Sequence, residues 1–496
     1  MNEWFNNIRI YHLLIDRFNG GWQKPPTNEN GRMDLTNVFC GGNLEGVLDK
    51  LDYIKSLGFT AIMLSPIFRS ANYHGYHTLD FEDVDPHFGT WEDYQQLLDQ
   101  AHEKGLKIIC DFVPNHCWYE APVFKESLLK NGGKHRDWFF YPKEDSDEFV
   151  SFLGFGDLPK FNLTNPEVAR FMIEKAERLA RMGVDAFRID HALGQPFSFL
   201  SRFREQMQAV RSDIVVFGEV WAQGIGPQLA SQLYFKTEKR LNEFLAQEAE
   251  PFSQDDLQAD YVGTLDGVLD FAYRDILLEE VHAGRGIKGN QTLRSKIADH
   301  FAKYPDDFKL VLFLDNHDTD RFMFDCHDDV NLLQEAIDLT TELPRPFSFL
   351  YGTEQLMTNN PTIFNAEPYA DLRVRNCMDW SKSPPTKYQK IGSMNFETYQ
   401  LDKRLDSFNY QQAQADILPI LERGSNVVLD MTACRYISSA GLRVLLYSKK
   451  VAASKGLKLF LVGISEEVKD IMDVTGFNTF FEAFSTLEEC LEKMKE

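Results

Sequence analysis

The chain has 496 residues, a formal net charge of −23 and a hydrophobic content of 43% that includes 40 Phe. The length predicts two domains with a large core. The negative charge argues against a nucleic-acid partner, because phosphate backbones are bound by basic surfaces.

The N-terminal sequence and the cysteines predict a cytoplasmic protein with no membrane partner. The first residues, Met1-Asn-Glu-Trp-Phe5, lack the basic stretch and apolar core of a signal peptide. No apolar run reaches the length of a transmembrane helix. The cysteines number 7, are scattered and include no Cys-x-x-Cys pair, which is typical of reduced intracellular proteins.

Short apolar runs alternate with longer amphipathic ones through most of the chain. Strands are predicted at 8–14, 60–64, 106–112, 184–189, 214–218, 267–271, 309–314 and 346–351. Helices are predicted between most of them, for example at 44–57, 91–104, 166–181 and 329–341. Regular strand–helix alternation implies parallel strands, and eight repeats predict an α/β fold of the (β/α)₈ TIM-barrel type over residues 1–382.

Two interruptions divide this pattern. Residues 117–160 follow the third strand and are too long for an ordinary βα loop, so we predict a small inserted domain there. The Pro pair within 381–386 predicts a linker. Beyond it, 387–496 is predicted to form a second α/β domain. Its predicted strands are 426–431 and 457–462, and its predicted helices are 439–453, 465–474 and 486–495.

Four acidic stretches end strand-like runs in a fixed order. They are Asp111-Phe-Val-Pro-Asn-His116, Phe187-Arg-Ile-Asp190-His191, Phe217-Gly-Glu219-Val220 and Phe313-Leu-Asp-Asn-His-Asp318. The active site of a (β/α)₈ barrel lies at the carboxyl ends of its strands. We therefore expect Asp190, Glu219 and Asp318 to converge at one site.

The residue types at these strand ends suit sugar-cleaving chemistry. Side chains two residues apart share one face of a strand, so Arg188 should hold Asp190 ionised, as a nucleophile at an anomeric carbon requires. Apolar neighbours should raise the pKa of Glu219, as a general acid requires. Asp318 could stabilise positive charge in an oxocarbenium-like transition state, and His317 could bond sugar hydroxyls.

These motifs resemble those of the α-amylase family, glycoside hydrolase family 13, over roughly residues 1–380. Further resemblances are Tyr73-His-Gly-Tyr76, the Gly58–Pro66 strand, Leu158-Pro-Lys-Phe-Asn162 and Tyr351-Gly-Thr-Glu354. The resemblance implies that Asp190 is the nucleophile, Glu219 the acid/base and Asp318 the transition-state stabiliser. It also implies that Tyr76, His116, Arg188 and His317 bind the sugar being cleaved. The family retains anomeric configuration, so the two reacting carboxyls should lie about 5–5.5 Å apart.

The chain departs from the family's pattern in two ways. Family members with a calcium site often place a Lys-His pair shortly after the nucleophile, whereas this chain continues Asp190-His-Ala-Leu-Gly-Gln195. Asn115 remains as a Ca²⁺ ligand or a structural hydrogen-bonding group, but calcium needs six or more oxygens. The chemistry itself requires no cofactor, and no metal ligand is assigned. The second departure is that an α/β unit replaces the β-sandwich that usually follows the barrel.

For other polar and aromatic residues, structural roles are at least as good an interpretation as functional ones. Asp80, Asp111 and Asp185 are predicted to bond loop backbone near the barrel mouth. Trp118, Trp138 and Trp221 could be sugar platforms, but core packing is at least as good an interpretation.

The segment 430–443 resembles the signature of STAS domains, the sulfate-transporter and anti-sigma-factor-antagonist module, and the resemblance covers about 387–496. Leu405-Asp406 matches the module's early Leu-Asp pair. In bacterial antagonists a Ser at the start of the following helix is phosphorylated, and Ser439 matches it. The antagonists have Asp at the preceding position, where this chain has Ser438, and either serine could simply cap the helix. The resemblance implies docking to a protein partner, self-association or regulation.

The sequence thus predicts a retaining enzyme that acts on α-glucosidic bonds of α-glucans or maltooligosaccharides. A first alternative is a transglycosylase or isomerase, in which a sugar acceptor replaces water. A second alternative is a sugar-sensing signalling protein that acts through the STAS domain. All three carboxylates are present, which favours an enzyme.

Overall fold

A computed structural model describes residues 3–21, 39–249, 252–365, 370–385, 388–389, 391, 396–422, 426–454, 457–487 and 489–490. The chain divides into two compact units. The barrel unit comprises Met1–Thr340 and Arg345–Gly392, and the C-terminal unit comprises Thr341–Pro344 and Ser393–Glu496. Within the described ranges, no helix combines the length and apolar character needed to cross a bilayer.

Eight parallel strands form a closed barrel in the first unit. They are β1 (Arg9–Leu13), β2 (Ala61–Leu64), β3 (Lys107–Phe112), β4 (Ala186–Ile189), β5 (Val215–Gly218), β6 (Gly267–Leu269), β7 (Lys309–Phe313) and β8 (Phe347–Leu350). Each strand pairs with the next, and β8 closes onto β1 with Phe347 opposite Arg9. The predicted (β/α)₈ barrel is confirmed.

Helices connect the strands. They are α1 (Ile15–Phe18), α2 (Leu44–Asp49), α3 (Leu51–Ser56), α4 (Trp91–Glu103), α5 (Pro122–Ser127), α6 (Pro166–Met182), α7 (Phe197–Val210), α8 (Glu238–Leu245), α9 (Gln254–Ala259), α10 (Phe271–His282), α11 (Gln291–Phe301), α12 (Phe322–Asp325) and α13 (Val330–Glu342). A Thr90–Asp93 capping box starts α4. The single helix predicted at 44–57 is instead α2 and α3, because Lys50 leaves the helical region at φ −106° and ψ 7°.

The barrel interior is filled with apolar side chains. The buried cluster includes Ile10, Ala61, Met63, Ile109, Ala186, Val215, Phe217, Leu269, Val311 and Phe313. Strand residues that alternate with these point toward the surrounding helices. For example, the ring of Phe187 lies 5.6 Å from the ring of Phe203 in α7. Because side chains two apart share a face, Arg188 continues the inward row of Ala186. Arg188 in β4, and Asp190 directly after the strand, therefore lie above the apolar interior of the barrel.

The inserted segment, residues 117–160, leaves the barrel after β3 and returns before α6. An antiparallel bridge joins His116 to Lys160 where the segment begins and ends, and a second bridge joins Phe139, within the segment, to Phe161. Phe124 packs its ring against Phe139 at 5.0 Å. These contacts anchor the segment beside the carboxyl end of β3.

The C-terminal unit contains a four-stranded parallel sheet in the order β14-β13-β11-β9. Its elements are β9 (Phe396–Gln400), β10 (Arg404–Leu405), α14 (Tyr410–Glu422), β11 (Asn426–Asp430), β12 (Tyr436–Ile437), α15 (Ser439–Ser454), β13 (Leu459–Val462), α16 (Glu466–Val474) and β14 (Glu482–Phe484). One core cluster contains Ile417 of α14, Leu445 of α15 and Met472 of α16. A smaller one contains Phe396, Val428, Phe460 and Cys490.

The sequence predictions for this unit are partly confirmed. The strands and helices predicted around 426–431, 439–453, 457–462 and 465–474 are present as β11, α15, β13 and α16. The edge strands β9 and β14 and helix α14 were not predicted. Both edge strands are only partly buried, so they lack a strong apolar pattern. Of the helix predicted at 486–495, residues 487, 489 and 490 are helical, and residues 488 and 491–495 lie outside the described residues.

Candidate active site

The three predicted catalytic carboxylates lie beyond the carboxyl ends of barrel strands. Asp190 directly follows β4, Glu219 directly follows β5, and Asp318 lies in the loop after β7. Strands β4 and β5 are neighbours, with Ile189 opposite Gly218. This register brings the loops that carry Asp190 and Glu219 side by side.

A buried guanidinium joins the predicted nucleophile to the predicted acid. Arg188 Nη1 donates to Asp190 Oδ1 at 2.9 Å and to Asp111 Oδ1 at 2.8 Å. Arg188 Nη2 lies 2.7 Å from Glu219 Oε1. The side chain of Arg188 is only 1% exposed. The planar guanidinium therefore fixes three carboxylates around one cation.

Residues after β4 also hold Glu219 and the main chain of Asp190. The His191 amide donates to Glu219 Oε2 at 3.0 Å, and Gln195 Nε2 donates to the Asp190 carbonyl oxygen at 2.7 Å. His191 adopts a left-handed conformation with φ 43°, which is rare for a residue other than glycine. Such strain concentrates at functional sites. Here it turns the chain so that the His191 amide meets Glu219.

Asp318 is held by an arginine from a distant part of the chain. Arg375 Nη2 donates to Asp318 Oδ1 at 2.6 Å, and Arg375 Nε donates to the His317 carbonyl oxygen at 2.9 Å. His317 Nε2 lies 2.9 Å from Asp318 Oδ2. The Asp318 side chain keeps 34% of its surface exposed, so it remains open to a ligand. No sequence motif indicated Arg375.

Tyr76 connects the two halves of the site. Its hydroxyl donates to Asp111 Oδ2 at 2.7 Å, and its ring stacks on His317 with centroids 4.8 Å apart and planes 12° apart. His317 Nδ1 is buried and has no hydrogen-bond partner among the described residues. A buried polar atom of this kind suits a ligand hydroxyl.

His116 has protein partners at both ring nitrogens. Its Nε2 donates to the Tyr76 carbonyl oxygen at 3.1 Å, and its Nδ1 accepts from Asn115 Nδ2 at 3.2 Å. The ring stacks on Phe152 at 4.5 Å. These contacts make His116 a support for the Tyr76 backbone, and its contact with a sugar stays a prediction.

Burial and crowding raise the pKa values of the carboxyl cluster. Burial raises the pKa of Asp190 to about 7 against the opposing charge of Arg188, and repulsion from Asp111 and Asp318 adds to the rise. Burial also raises the pKa of Glu219, again opposed by Arg188 and reinforced by Asp190. One guanidinium faces three carboxylates, so their mutual repulsion is only partly offset and their pKa values rise. The predicted contact between Arg188 and Asp190 is present, but the charge of Arg188 is divided among three acids, so the pKa of Asp190 rises.

The pKa of Asp318 shifts in the opposite direction. Burial alone would raise its pKa, but the charge and hydrogen bond of His317, together with Arg375 and Arg188, lower the pKa well below its usual range. The site therefore combines one carboxylate whose pKa is lowered with a cluster of carboxylates whose pKa values are raised. Separated pKa values of this kind are typical of paired acid and charge-stabilising roles.

The interpretation of Asp111 is corrected by its contacts. Both of its oxygens accept from Arg188 Nη1, and one also accepts from Tyr76, so it belongs to the site and does not bond loop backbone. Asp185 lies at the start of β4, the opposite end of the strand from the mouth, where it accepts from the Ile108 amide at 2.9 Å. Asp80 accepts from the Glu82 amide at 2.8 Å, as predicted.

The tryptophans pack against other rings. Trp221 stacks on Phe271 at 5.0 Å, and Trp138 contacts Phe171 at 5.2 Å. Trp118 stacks on His77 at 4.7 Å. These contacts favour the packing interpretation for Trp138 and Trp221.

A lysine binds the oxygens that a calcium ion would take beside Asn115. Lys160 Nζ donates to Asn115 Oδ1 and to the Gly194 carbonyl oxygen, each at 2.5 Å. Across the described part of the chain, no three His, Cys, Asp or Glu side chains are grouped closely enough to hold a metal ion. The residues around Asn115 therefore fit an ammonium group and do not fit Ca²⁺.

In the C-terminal unit the two serines before and at the start of α15 differ. Ser438 Oγ accepts from the Ala440 amide at 3.2 Å and from the Gly441 amide at 3.4 Å, so Ser438 is the helix cap. Ser439 is the first residue of α15 and is exposed. The capping alternative thus applies to Ser438 and leaves the Ser439 side chain at the surface.

Comparison with known proteins agrees with this fold. Residues 14–416 match the family described as alpha amylase, catalytic domain, and residues 389–490 match the STAS domain. The first match covers more than half of the chain, and the protein belongs to the alpha-amylase family. Both resemblances predicted from the sequence are confirmed.

Individual relatives share part of their length with this chain. Alpha-amylase 2 of Dictyoglomus thermophilum is 33% identical over 323 residues, which cover 65% of this chain and 50% of that protein. A cyclomaltodextrinase of Thermoanaerobacter pseudethanolicus is 28% identical over 422 residues, which cover 80% of this chain and 65% of that protein. The crystal structure of Geobacillus thermoleovorans alpha-amylase with acarbose superimposes with a TM-score of 0.59 at 29% identity, covering 78% of each chain.

Proposed function

We propose that this protein is a retaining glycoside hydrolase that cleaves α-glucosidic bonds of α-glucans or maltooligosaccharides. One observation carries the proposal. Arg188 joins Asp190 to Glu219, and Tyr76 links this cluster through His317 to Asp318, so all three acids belong to one network at the barrel mouth. Glu219, with a raised pKa, and Asp318, with a lowered pKa, have the electrostatic settings that their proposed roles need.

In the proposed first step the Asp190 carboxylate bonds to the anomeric carbon as the glycosidic bond breaks. Glu219 gives its proton to the departing oxygen, so charge and atoms balance. When the proton is on Glu219, the Asp190 carboxylate is ionised and has Arg188 as its counter-ion. The permanent charge of Asp318 stabilises the cationic character of the transition state.

In the proposed second step Glu219, now ionised, takes a proton from water. The water oxygen bonds to the anomeric carbon and the Asp190 carboxylate leaves, which restores the starting enzyme. Two inversions at the same carbon give net retention. This scheme predicts a separation of about 5–5.5 Å between the Asp190 and Glu219 carboxyl groups.

The substrate class rests on the similar proteins. They include alpha-amylase, cyclomaltodextrinase and neopullulanase, which act on α-glucans. A relative named intracellular maltogenic amylase supports the proposal that this protein also works in the cytoplasm.

Product analysis tests the proposal. The protein is incubated with maltooligosaccharides, cyclodextrin, pullulan, trehalose and glycogen, beside Asp190→Asn and a surface control, Asp307→Asn, at an exposed position. We expect glucose or maltose from the wild type and the surface control, with the α-anomer formed first in NMR spectra, and no product from Asp190→Asn. Longer glucans would indicate transfer to a sugar acceptor. No turnover of any of these glucans by the wild type would overturn the proposal.

We also propose that the C-terminal unit regulates or docks the enzyme through Ser439. The side chain is exposed at the first turn of the long helix α15, where the helix dipole stabilises an added phosphate. The test is peptide mass spectrometry of the protein isolated from its native cells, with Ser439→Ala as the control. A phosphate on Ser439 is expected, and a phosphate found only on other residues would contradict this part.

A further inference from the structure

We propose that the side-chain nitrogen of Lys160 is a built-in hydrogen-bond donor that takes the place of a metal ion between the inserted segment and the loop after the predicted nucleophile. It thereby acts as a positioning residue for the sugar site. Its two acceptors come from different parts of the barrel: Asn115 follows β3, and Gly194 lies in the loop after β4. Lys160 itself lies at the end of the inserted segment.

The two acceptors are oxygen atoms of the kind that bind hard cations. One is an amide oxygen and the other a main-chain carbonyl oxygen, both typical calcium ligands. Lys160 is 3% exposed, and both of these oxygens belong to neutral groups. Burial lowers the pKa of Lys160 to about 7, so the two short hydrogen bonds to neutral oxygens, and not a permanent charge, give this nitrogen its resemblance to a metal site.

The contact orders a chain of hydrogen bonds that leads to Tyr76. Because Asn115 Oδ1 accepts from Lys160, the amide must present its Nδ2 to His116 Nδ1. His116 then carries its proton on Nε2 and donates it to the Tyr76 carbonyl oxygen. Loss of the lysine would remove the bond that fixes the Asn115 amide and the His116 tautomer.

The other acceptor leads to the predicted nucleophile. Gly194 directly precedes Gln195, whose Nε2 holds the carbonyl oxygen of Asp190. A Cβ added at Gly194 would lie 2.4 Å from His191 Cδ2 and 2.7 Å from Asn115 Oδ1, so only glycine lets this carbonyl approach. The loop is therefore packed closely around the lysine nitrogen, and Lys160 connects the Tyr76 and Asp190 sides of the site.

Two substitutions separate this proposal from ordinary packing. Lys160→Met keeps the apolar stem and removes the donors. Lys160→Asp places a carboxylate beside the same two oxygens and so offers them to calcium. Lys143→Met, at a 67% exposed lysine of the same inserted segment, is the matched control.

Thermal unfolding and kcat on a maltooligosaccharide are measured for the full chain in EDTA and in calcium chloride. The wild type and Lys143→Met should show the same Tm in both, within about 1 °C. Lys160→Met should lose about 5 °C in Tm, since a buried hydrogen-bond network is broken, and roughly tenfold in kcat, in both solutions. Lys160→Asp should be weakened in EDTA and regain most of its Tm in calcium.

The kcat measurement rests on the proposed function, whereas the Tm measurement does not, so failure of one is distinguishable from failure of the other. A fall in wild-type Tm on adding EDTA would overturn the proposal, because a metal would then hold the segment. A Lys160→Met variant with wild-type Tm, or a Lys160→Asp variant indifferent to calcium, would overturn it as well.

Discussion

The barrel mouth and the start of α15 both place polar side chains beyond the end of a parallel strand, but in opposite physical settings. At the barrel mouth Arg188, Asp190 and Glu219 are buried, charged and in contact. At α15 the hydroxyl of Ser438 is used as a cap, and Ser439 is exposed and neutral. Desolvated charges with separated pKa values suit bond breaking, whereas an exposed hydroxyl at a helix N-terminus suits later addition of charge. This difference is the basis on which we propose chemistry for the barrel unit and regulation for the C-terminal unit.

The largest expected effect tests the proposed chemistry at the barrel mouth. Glu219→Gln should lower kcat on maltooligosaccharides by about 10³-fold or more, because the leaving oxygen no longer receives a proton. On α-glucosyl fluoride, whose leaving group needs no proton, formation of the glucosyl-enzyme should be much less affected. Asp190→Asn should abolish turnover of both substrates. Steady-state and burst kinetics check this, and equal losses of Glu219→Gln on both substrates would contradict the acid role.

Arg375 tests how the anionic carboxylate is maintained. Its charge helps to lower the pKa of Asp318, so Arg375→Met should raise that pKa and protonate Asp318 at higher pH. The variant should lose roughly 10–100-fold in kcat/KM at neutral pH, and the loss should grow along the acid limb of the profile, where Asp318 takes up a proton. Arg373→Met, two residues away, is the control. A uniform loss of activity without a shifted limb would indicate a purely structural role.

The crowded carboxylates should lower stability at alkaline pH. The folded-state pKa of Asp190 is about 7, above that of an ordinary Asp, so folding is favoured below the ordinary value and loses stability as pH rises toward 7. Asp190→Asn removes that loss. Its Tm should exceed the wild-type Tm by about 2–5 °C near pH 8, and the difference should shrink toward pH 4. Calorimetry across this range checks the sign, and a lower Tm for the variant near pH 8 would contradict it.

The smallest expected effect tests the difference between Ser438 and Ser439 at the start of α15. Ser438→Ala removes the cap of α15 and should lower the free energy of unfolding of the C-terminal unit by about 1 kcal/mol. Ser439→Ala should change it by less than about 0.5 kcal/mol, because its side chain is exposed. Denaturant titrations of the two variants compare the serines directly. A larger loss for Ser439→Ala would mean that Ser439 is the structural residue.

The sequence predicted features that follow from local pattern. Strand–helix alternation located every barrel strand, and the motif order located Asp190, Glu219 and Asp318, because each lies next to its strand. Arg375 could not be predicted, since the fold brings it to Asp318 from the region after β8 and no motif accompanies it. The raised pKa of Asp190 depends on how many acids share Arg188, which is a property of the packed site.

Lys160 shows a second limit of sequence reasoning. The Leu158–Asn162 segment was recognised, but the role of its lysine depends on where Asn115 and Gly194 meet in the folded chain. Edge strand β9 was missed for the related reason that only its first residue is fully buried, which leaves little apolar signal.

Trapping of the covalent intermediate tests the central claim most directly. The protein is incubated with a fluorinated α-glucosyl fluoride that forms the glucosyl-enzyme faster than water removes it, digested, and analysed by peptide mass spectrometry. The account predicts one added sugar on the peptide that contains Asp190, attached through that carboxylate. A sugar bound to a different residue, or turnover with no labelled peptide and inverted product, would contradict it.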